Sequence, residues 1–220
     1  MKIRSKEHLL DFFQRERSWR RQELTNIKSL VHSSREFHNH TIIRSAVLLL
    51  YSHWEGYVKK VFEGFFYYLN FKSLKHEDLK INLIALSSSK EIAHNLSHKR
   101  FSSYLKSVKY ILEDRGEKKF RINVESCVDT RSNLNVEVLD ELLNMLGIST
   151  DYFNNNIFHI DNRLLKYRNA IAHGERTDNN PEFFVSSEDF DDLYKKVNEL
   201  TDYFENIIIN YLETEGYKVA

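Results

Sequence analysis

Apolar side chains recur along this chain every three or four residues, the spacing that gathers them on one face of an α-helix. Over Lys6–Ser33 the stripe is Leu9, Phe12 or Phe13, Leu24, Ile27, Leu30 and Val31, and Ser5 stands where an N-cap belongs. A denser stripe of Val47, Leu50, Tyr51, Trp54, Val58, Val61, Phe62, Phe65 and Leu69 predicts a second helix over about 41–71. Its aromatic load makes it the central one. The period weakens over 72–134, where Leu83–Leu86 and Phe101–Leu112 read as short helices and Ser87-Ser88-Ser89 and Asp114–Lys119 as loops. Loose alternation from Phe120 to Asp129 predicts a small hairpin.

The helical period returns over 136–146, after Asn135 and before Gly147, and again over 157–173. A polar turn over 177–181 follows, and Ser186 with Asp189 three residues on forms a capping-box variant opening a last helix to about Thr214. The expectation is one all-α domain spanning 1–220, an up-and-down bundle of four to five long helices with an insertion of short elements at about 72–134.

Composition agrees: a single proline, Pro181, and six glycines leave little to interrupt helices. Thirty-two basic residues cancel 32 acidic ones, so no global field draws the chain to a polyanion, and any contact with RNA has to be local. One cysteine, Cys127, precludes an internal disulfide, and no apolar leader follows the basic start, which reads as a cytoplasmic protein. The longest apolar run, Ala46–Tyr51, is too short to span a bilayer, so no membrane contact is expected. His38/His40 and His94/His98 have spacings a metal could use but no acid in a recognisable ligand set. The glycines form no phosphate loop, and neither metal nor cofactor is expected.

The sharpest chemical signal lies in residues 163–176, Arg-Leu-Leu-Lys-Tyr-Arg-Asn-Ala-Ile-Ala-His-Gly-Glu-Arg. Asn169 and His173, four residues apart, share a helix face, and Arg168 sits about 100° round with a side chain long enough to reach the same point. Gly174 reads as the C-cap, which puts the imidazole on the last turn. A permanent cation, an amide and a titratable ring suit a phosphodiester, although a His before Gly is also an ordinary way to end a helix. On the first helix, Arg15, Arg17, Arg20 and Arg21 surround Trp19. That pattern reads as a basic strip with an aromatic platform, which suits RNA, or as a solvated charged face.

The Arg168-Asn169 pair with its spacing to His173, led by an apolar helix, resembles the signature of the HEPN superfamily of helical-bundle domains, many of which are metal-independent ribonucleases. Tyr51-Ser52-His53-Trp54-Glu55-Gly56-Tyr57-Val58-Lys59-Lys60 is similar to the early helix of the bacterial MAE-type HEPN-like nucleases, which carry a Trp-Glu pair there. The resemblance implies an endoribonuclease in which His173 is general acid or base, Arg168 binds the scissile phosphate, and Asn169 positions His173 or the phosphate. Glu55 would orient Arg168 or tune the imidazole, unless it only pairs with Lys59 four residues on. Arg17, Arg20, Arg21 and Lys59 are the expected RNA contacts. A homodimer with a composite site is implied, as is a role as toxin or antiviral-defence effector with an antitoxin or defence-system partner. The alternative is a non-catalytic HEPN module that binds a nucleotide or a partner protein.

Overall fold

The structure is a computed structural model that describes residues 2–97, 100–112, 116, 118–176 and 186–219. Helix α1 (Lys6–Ser33) begins where Ser5 Oγ accepts the His8 N–H at 3.1 Å. Ser34 and Arg35 turn the chain into α2 (Glu36–Lys72), so α1 and α2 form an antiparallel pair. They pack so closely that a Cβ at Gly64 would lie 2.8 Å from the Phe12 ring. After a 3-10 turn (His76–Asp78) come α3 (Ile81–Ser97), α4 (Phe101–Leu112), the single turn α5 (Val124–Cys127), α6 (Val136–Asn144) and the single turn α7 (Asp151–Asn154). A π-helical stretch, Phe158–Leu165, runs directly into α8 (Lys166–Ala172), and α9 (Ser187–Glu213) closes the bundle. Among the described residues there are no strands, only the isolated bridges Lys75–Lys119 and Leu79–Lys218.

The all-α bundle expected from the apolar period is the observed one. Around α2 pack α1, α9 and the composite 158–172 helix, and the predicted stripe from Val47 to Leu69 is buried. Phe204 of α9 is its counterpart, 6.3 Å from Trp54, 6.5 Å from Tyr57 and 5.8 Å from Phe62 by ring centroid. Each such ring, fully buried, contributes about 1.5–3 kcal/mol by removal from water. Two caps read from the sequence are present in full: Asn135 Oδ1 accepts the Val138 N–H at 2.8 Å, and Ser186 with Asp189 makes the capping box. Among the apolar positions expected on α1, Leu30 is the exception, since its side chain is exposed.

Three local expectations are corrected. Ser87, Ser88 and Ser89 lie inside α3, because the hydroxyls find partners there: Ser88 donates to Tyr110 Oη at 3.1 Å, and Ser87 Oγ accepts the Arg121 N–H at 3.2 Å. No hairpin forms over 120–129. The Asn70 side chain takes both backbone groups of Ile122, at 3.0 and 2.9 Å, as a pairing strand would, and the chain then coils into α5. Lastly, the helix expected over 157–173 is π-helical over its first half, with Asp161 Oδ1 turned to accept the Val136 N–H at the start of α6. The 177–181 turn lies outside the described residues, as does part of the 114–119 loop.

Candidate functional site

The end of α8 is fixed by the residue after the imidazole. Gly174 takes φ +76°, the left-handed conformation that glycine adopts without penalty. The Gly174 N–H then donates to Ile171 O at 3.1 Å and the Glu175 N–H to Ala170 O at 2.9 Å, the paired bonds of a Schellman motif. Arg44 of α2 holds the next segment by donating to Glu175 O at 2.8 Å. His173 is thereby presented to solvent from a pinned rim rather than a loose end.

Arg168 is half-buried and held on several sides. Its Nη1 donates to Asn133 Oδ1 at 2.9 Å and to Asn169 Oδ1 at 2.7 Å, and its Nη2 to Ser132 O at 3.2 Å. The guanidinium stacks 4.7 Å above the Tyr51 ring, a contact worth about 0.5–2 kcal/mol. Of the five N–H groups of an arginine, Nε–H and one Nη2–H remain for a ligand. Asn169 thus steadies Arg168 directly, one residue away.

Two of the groups that hold Arg168, Asn133 Oδ1 and Ser132 O, come from the 129–134 loop between α5 and α6. Arg131 (φ 52°) and Ser132 (φ 58°) are both left-handed without being glycine, which costs on the order of 1 kcal/mol or more each. The conformation is held by its surroundings: Asp129 Oδ1 accepts the Arg131 N–H at 2.8 Å, Thr130 donates to Glu55 Oε1 at 2.5 Å, and the Leu134 N–H donates to Tyr51 Oη at 2.6 Å. Burial, reinforced by the nearby Glu55 carboxylate, raises the Tyr51 phenol above its usual range. The ring under Arg168 is therefore a neutral phenol.

Glu55 stands on this side of α2, where it accepts the Thr130 hydroxyl and makes no ion pair with Lys59 among the described residues, and its link to Arg168 runs through Tyr51 and the loop. Lys59 lies one turn further along α2, outside this hydrogen-bonded group. Sequence reasoning placed Tyr51 in the core and missed Thr130, Ser132 and Asn133. The run Asp-Thr-Arg-Ser-Asn marks a loop by composition and carries no signal of what the loop meets.

The basic strip on α1 is corrected more strongly. Arg17 and Arg20 are only 7 % and 6 % exposed. Arg17 pairs with Asp202 at 2.5 Å and Glu205 at 3.6 Å, Arg20 pairs with Glu16, and both lie over the Tyr57 ring. Their guanidinium groups knit α1 to α2 and α9 and are not presented to a nucleic acid. Arg21 remains on the surface, with a long 3.4 Å contact to Asp202. The groove of about 560 Å³ between α1 and α9, which Arg21 helps to line, includes no residue of the 168–173 motif.

Beside this cluster, His53 of α2 is buried 2.7 Å from Glu23 Oε2, with the Trp19 ring edge-on at 5.1 Å. Burial lowers the His53 pKa against the pull of Glu23, and Arg20 adds to the lowering. A depressed pKa means that its stabilising contribution is present above the unfolded value of about 6.5 and lost as pH falls through the folded one. The melting temperature is expected to drop between about pH 7 and pH 5, and to drop less in His53→Gln. Equal drops in the two proteins would remove His53 from the account.

Among the described residues, no group of three or more His, Cys, Asp or Glu is gathered where it could hold a metal. No helix among them is long and apolar enough to cross a membrane. The model of the RiboL-PSP-HEPN family matches residues 15–210, a span from α1 into α9 that includes α2, the 129–134 loop and the motif helix. No curated protein and no solved structure matches the chain significantly.

Proposed function

The chain belongs to the RiboL-PSP-HEPN family, and from that premise we propose that it is a metal-independent endoribonuclease whose chemistry is carried by Arg168 and His173. The observation that carries the reading is the end of α8: an exposed imidazole on a pinned turn, on the same short helix as an arginine already oriented by Asn133, Asn169 and Tyr51, with two donors left for a phosphate. RNA brings its own nucleophile. The ribose 2′-oxygen attacks phosphorus, the P–O5′ bond breaks, and the products are a 2′,3′-cyclic phosphate and a 5′-hydroxyl. One proton leaves the 2′-OH and one must reach the 5′-oxygen, so His173 acts as general base or general acid. Arg168 stabilises the charge gathered on the phosphoryl oxygens, a task for a cation that never loses its proton.

Two proton transfers and one motif histidine per chain favour a site shared by two chains. A homodimer with both His173 side chains near the two-fold axis supplies an acid and a base together, and the exposure of His173 is compatible with such a rim. Action as a toxin or antiviral-defence effector, under restraint by an antitoxin or defence-system protein, extends this reading on the strength of the resemblance alone. The expected result is cleavage of RNA in EDTA, with cyclic phosphate ends, by a dimer. Arg168→Ala subunits mixed with wild type should depress activity beyond dilution. Cleavage that stops on chelation and returns with magnesium would overturn the mechanism.

A non-catalytic HEPN module is the second reading, favoured by the share of Arg168 donors engaged within the chain. Intact RNA after incubation with a protein that binds it would establish that reading instead.

A further inference from the structure

With Arg17 and Arg20 turned into the fold, the positive surface that RNA needs has to lie elsewhere, and the chain has a region where it collects. Between Ile81 and Leu112 the sequence carries Lys90, Lys99, Arg100, Lys106 and Lys109 against Glu91 alone, in a protein whose overall charges cancel. The described residues of this segment form α3 and α4, and α4 makes its main contacts with α3. Ser107 and Tyr110 mark the buried side of α4, where Tyr110 accepts the Ser88 hydroxyl of α3.

The opposite side of α4 is apolar and exposed. Phe101, Tyr104, Leu105 and Val108 follow the spacing of one helix face, and they are 79 %, 41 %, 43 % and 49 % exposed. On the helix, Lys109 lies about 80° to one side of Phe101, and Arg100, the residue just before α4, falls about 100° to the other when the helix is extended by one residue, so cations border the stripe at both edges. Neither of these two, nor Lys106, forms an ion pair with a described residue, in contrast to Arg17 and Arg20. Exposed aromatic faces bordered by unpaired cations provide what a single strand offers partners to, unstacked bases and a line of phosphates.

We propose that the α4 face is a docking surface for single-stranded RNA, with Phe101 and Tyr104 stacking on bases and Arg100 and Lys109 on the flanking phosphates. This rests on the ribonuclease reading for its biological meaning but not for its test. The α3–α4 segment is tied to the bundle near the end of α2, where Asn70 holds Ile122 and Ser87 holds Arg121. Fifteen residues of α2 separate Asn70 from Glu55, roughly 22 Å at the helical rise. A strand of several nucleotides is long enough to cover that separation, and on this proposal the α3–α4 segment selects unpaired RNA for the motif. An acidic amphipathic helix of a partner protein could meet the same apolar stripe. The aromatics at one end, with cations on both edges, favour a base-stacking strand.

The test is binding and not cleavage. His173→Ala protein, with or without Phe101→Ala plus Tyr104→Ala, is titrated into a fluorescein-labelled single-stranded RNA of about 15 nucleotides, a length covering one single-strand site. The aromatic pair is expected to weaken the dissociation constant about tenfold or more. Arg100→Glu with Lys109→Glu is expected to lower the slope of log K against log salt by roughly 1.4, two single-strand phosphate contacts. The substituted side chains are exposed, so unchanged circular dichroism and melting establish that each variant is folded. Binding that depends on the α4 face supports the proposal even if wild-type protein cleaves nothing. Binding indifferent to all four substitutions overturns it even if cleavage is robust. Capture of an acidic amphipathic peptide, with no affinity for RNA, would assign the face to a protein partner and also overturn it.

Discussion

His173→Ala is expected to reduce RNA cleavage by at least about 10²-fold while leaving the helical signal and melting temperature where they were. The size follows from losing a group that gives or takes a proton in the transition state. The intact fold follows from placement: His173 is exposed at the C-cap, and the Schellman bonds that end α8 use backbone groups of Gly174 and Glu175, not the imidazole. Substitutions at such a surface position move stability by about 0.5 kcal/mol or less. Arg168→Lys is the companion experiment. An ammonium cannot serve Asn133, Asn169 and Ser132 together, nor stack flat on Tyr51, so about 10²-fold or more of activity should go with the charge still present. Should His173→Ala unfold instead, the histidine would be a structural cap and the catalytic assignment would fail.

Trp54→Ala is expected to have the largest effect on stability, about 3–5 kcal/mol, against total stabilities of about 5–15 kcal/mol for a domain. Trp54 is buried on α2 between Phe153, 6.4 Å away, and Phe204 of α9, 6.3 Å away. It therefore joins three parts of the bundle at once, and truncation leaves a cavity that none of them can fill alone. In a chain of this length each 1 kcal/mol moves the melting temperature by roughly 2–4 °C, so a fall of about 10 °C is the expected reading. Trp54→Phe should cost less, since a ring remains and the indole N–H, which finds no acceptor among the described residues, is removed as well. A melting temperature unchanged in Trp54→Ala would show that the α2–α9 contact is not the core of this fold.

The helices themselves were legible because their signals are local. A 3.6-residue apolar period needs only the chain's own order, and so do the caps at Ser5, Asn135 and Ser186. The motif was legible for the same reason, since Arg168, Asn169 and His173 lie within one and a half turns and Gly174 announces the end of the helix. The errors fell where a distant partner decided the matter. Ser87–Ser89 look like a loop until Tyr110 and Arg121 meet their hydroxyls, and Phe120–Asp129 looks like a strand until Asn70 takes the place of one.

The basic strip on α1 failed for an electrostatic reason: helical spacing says which arginines share a face, but not that α2 and α9 will supply Tyr57, Asp202 and Glu205 to bury them. The surroundings of Arg168 were hidden in the same way. Asn133 lies 35 residues before it, Thr130 lies 75 residues from Glu55, and Leu134 lies 83 from Tyr51. Periodicity and capping by themselves determined a helical bundle carrying an Arg168/His173 motif at a helix end. Only tertiary structure decided which cations stay in water, and that the strained 129–134 loop, held against α2 at those long separations, sets the direction in which Arg168 points.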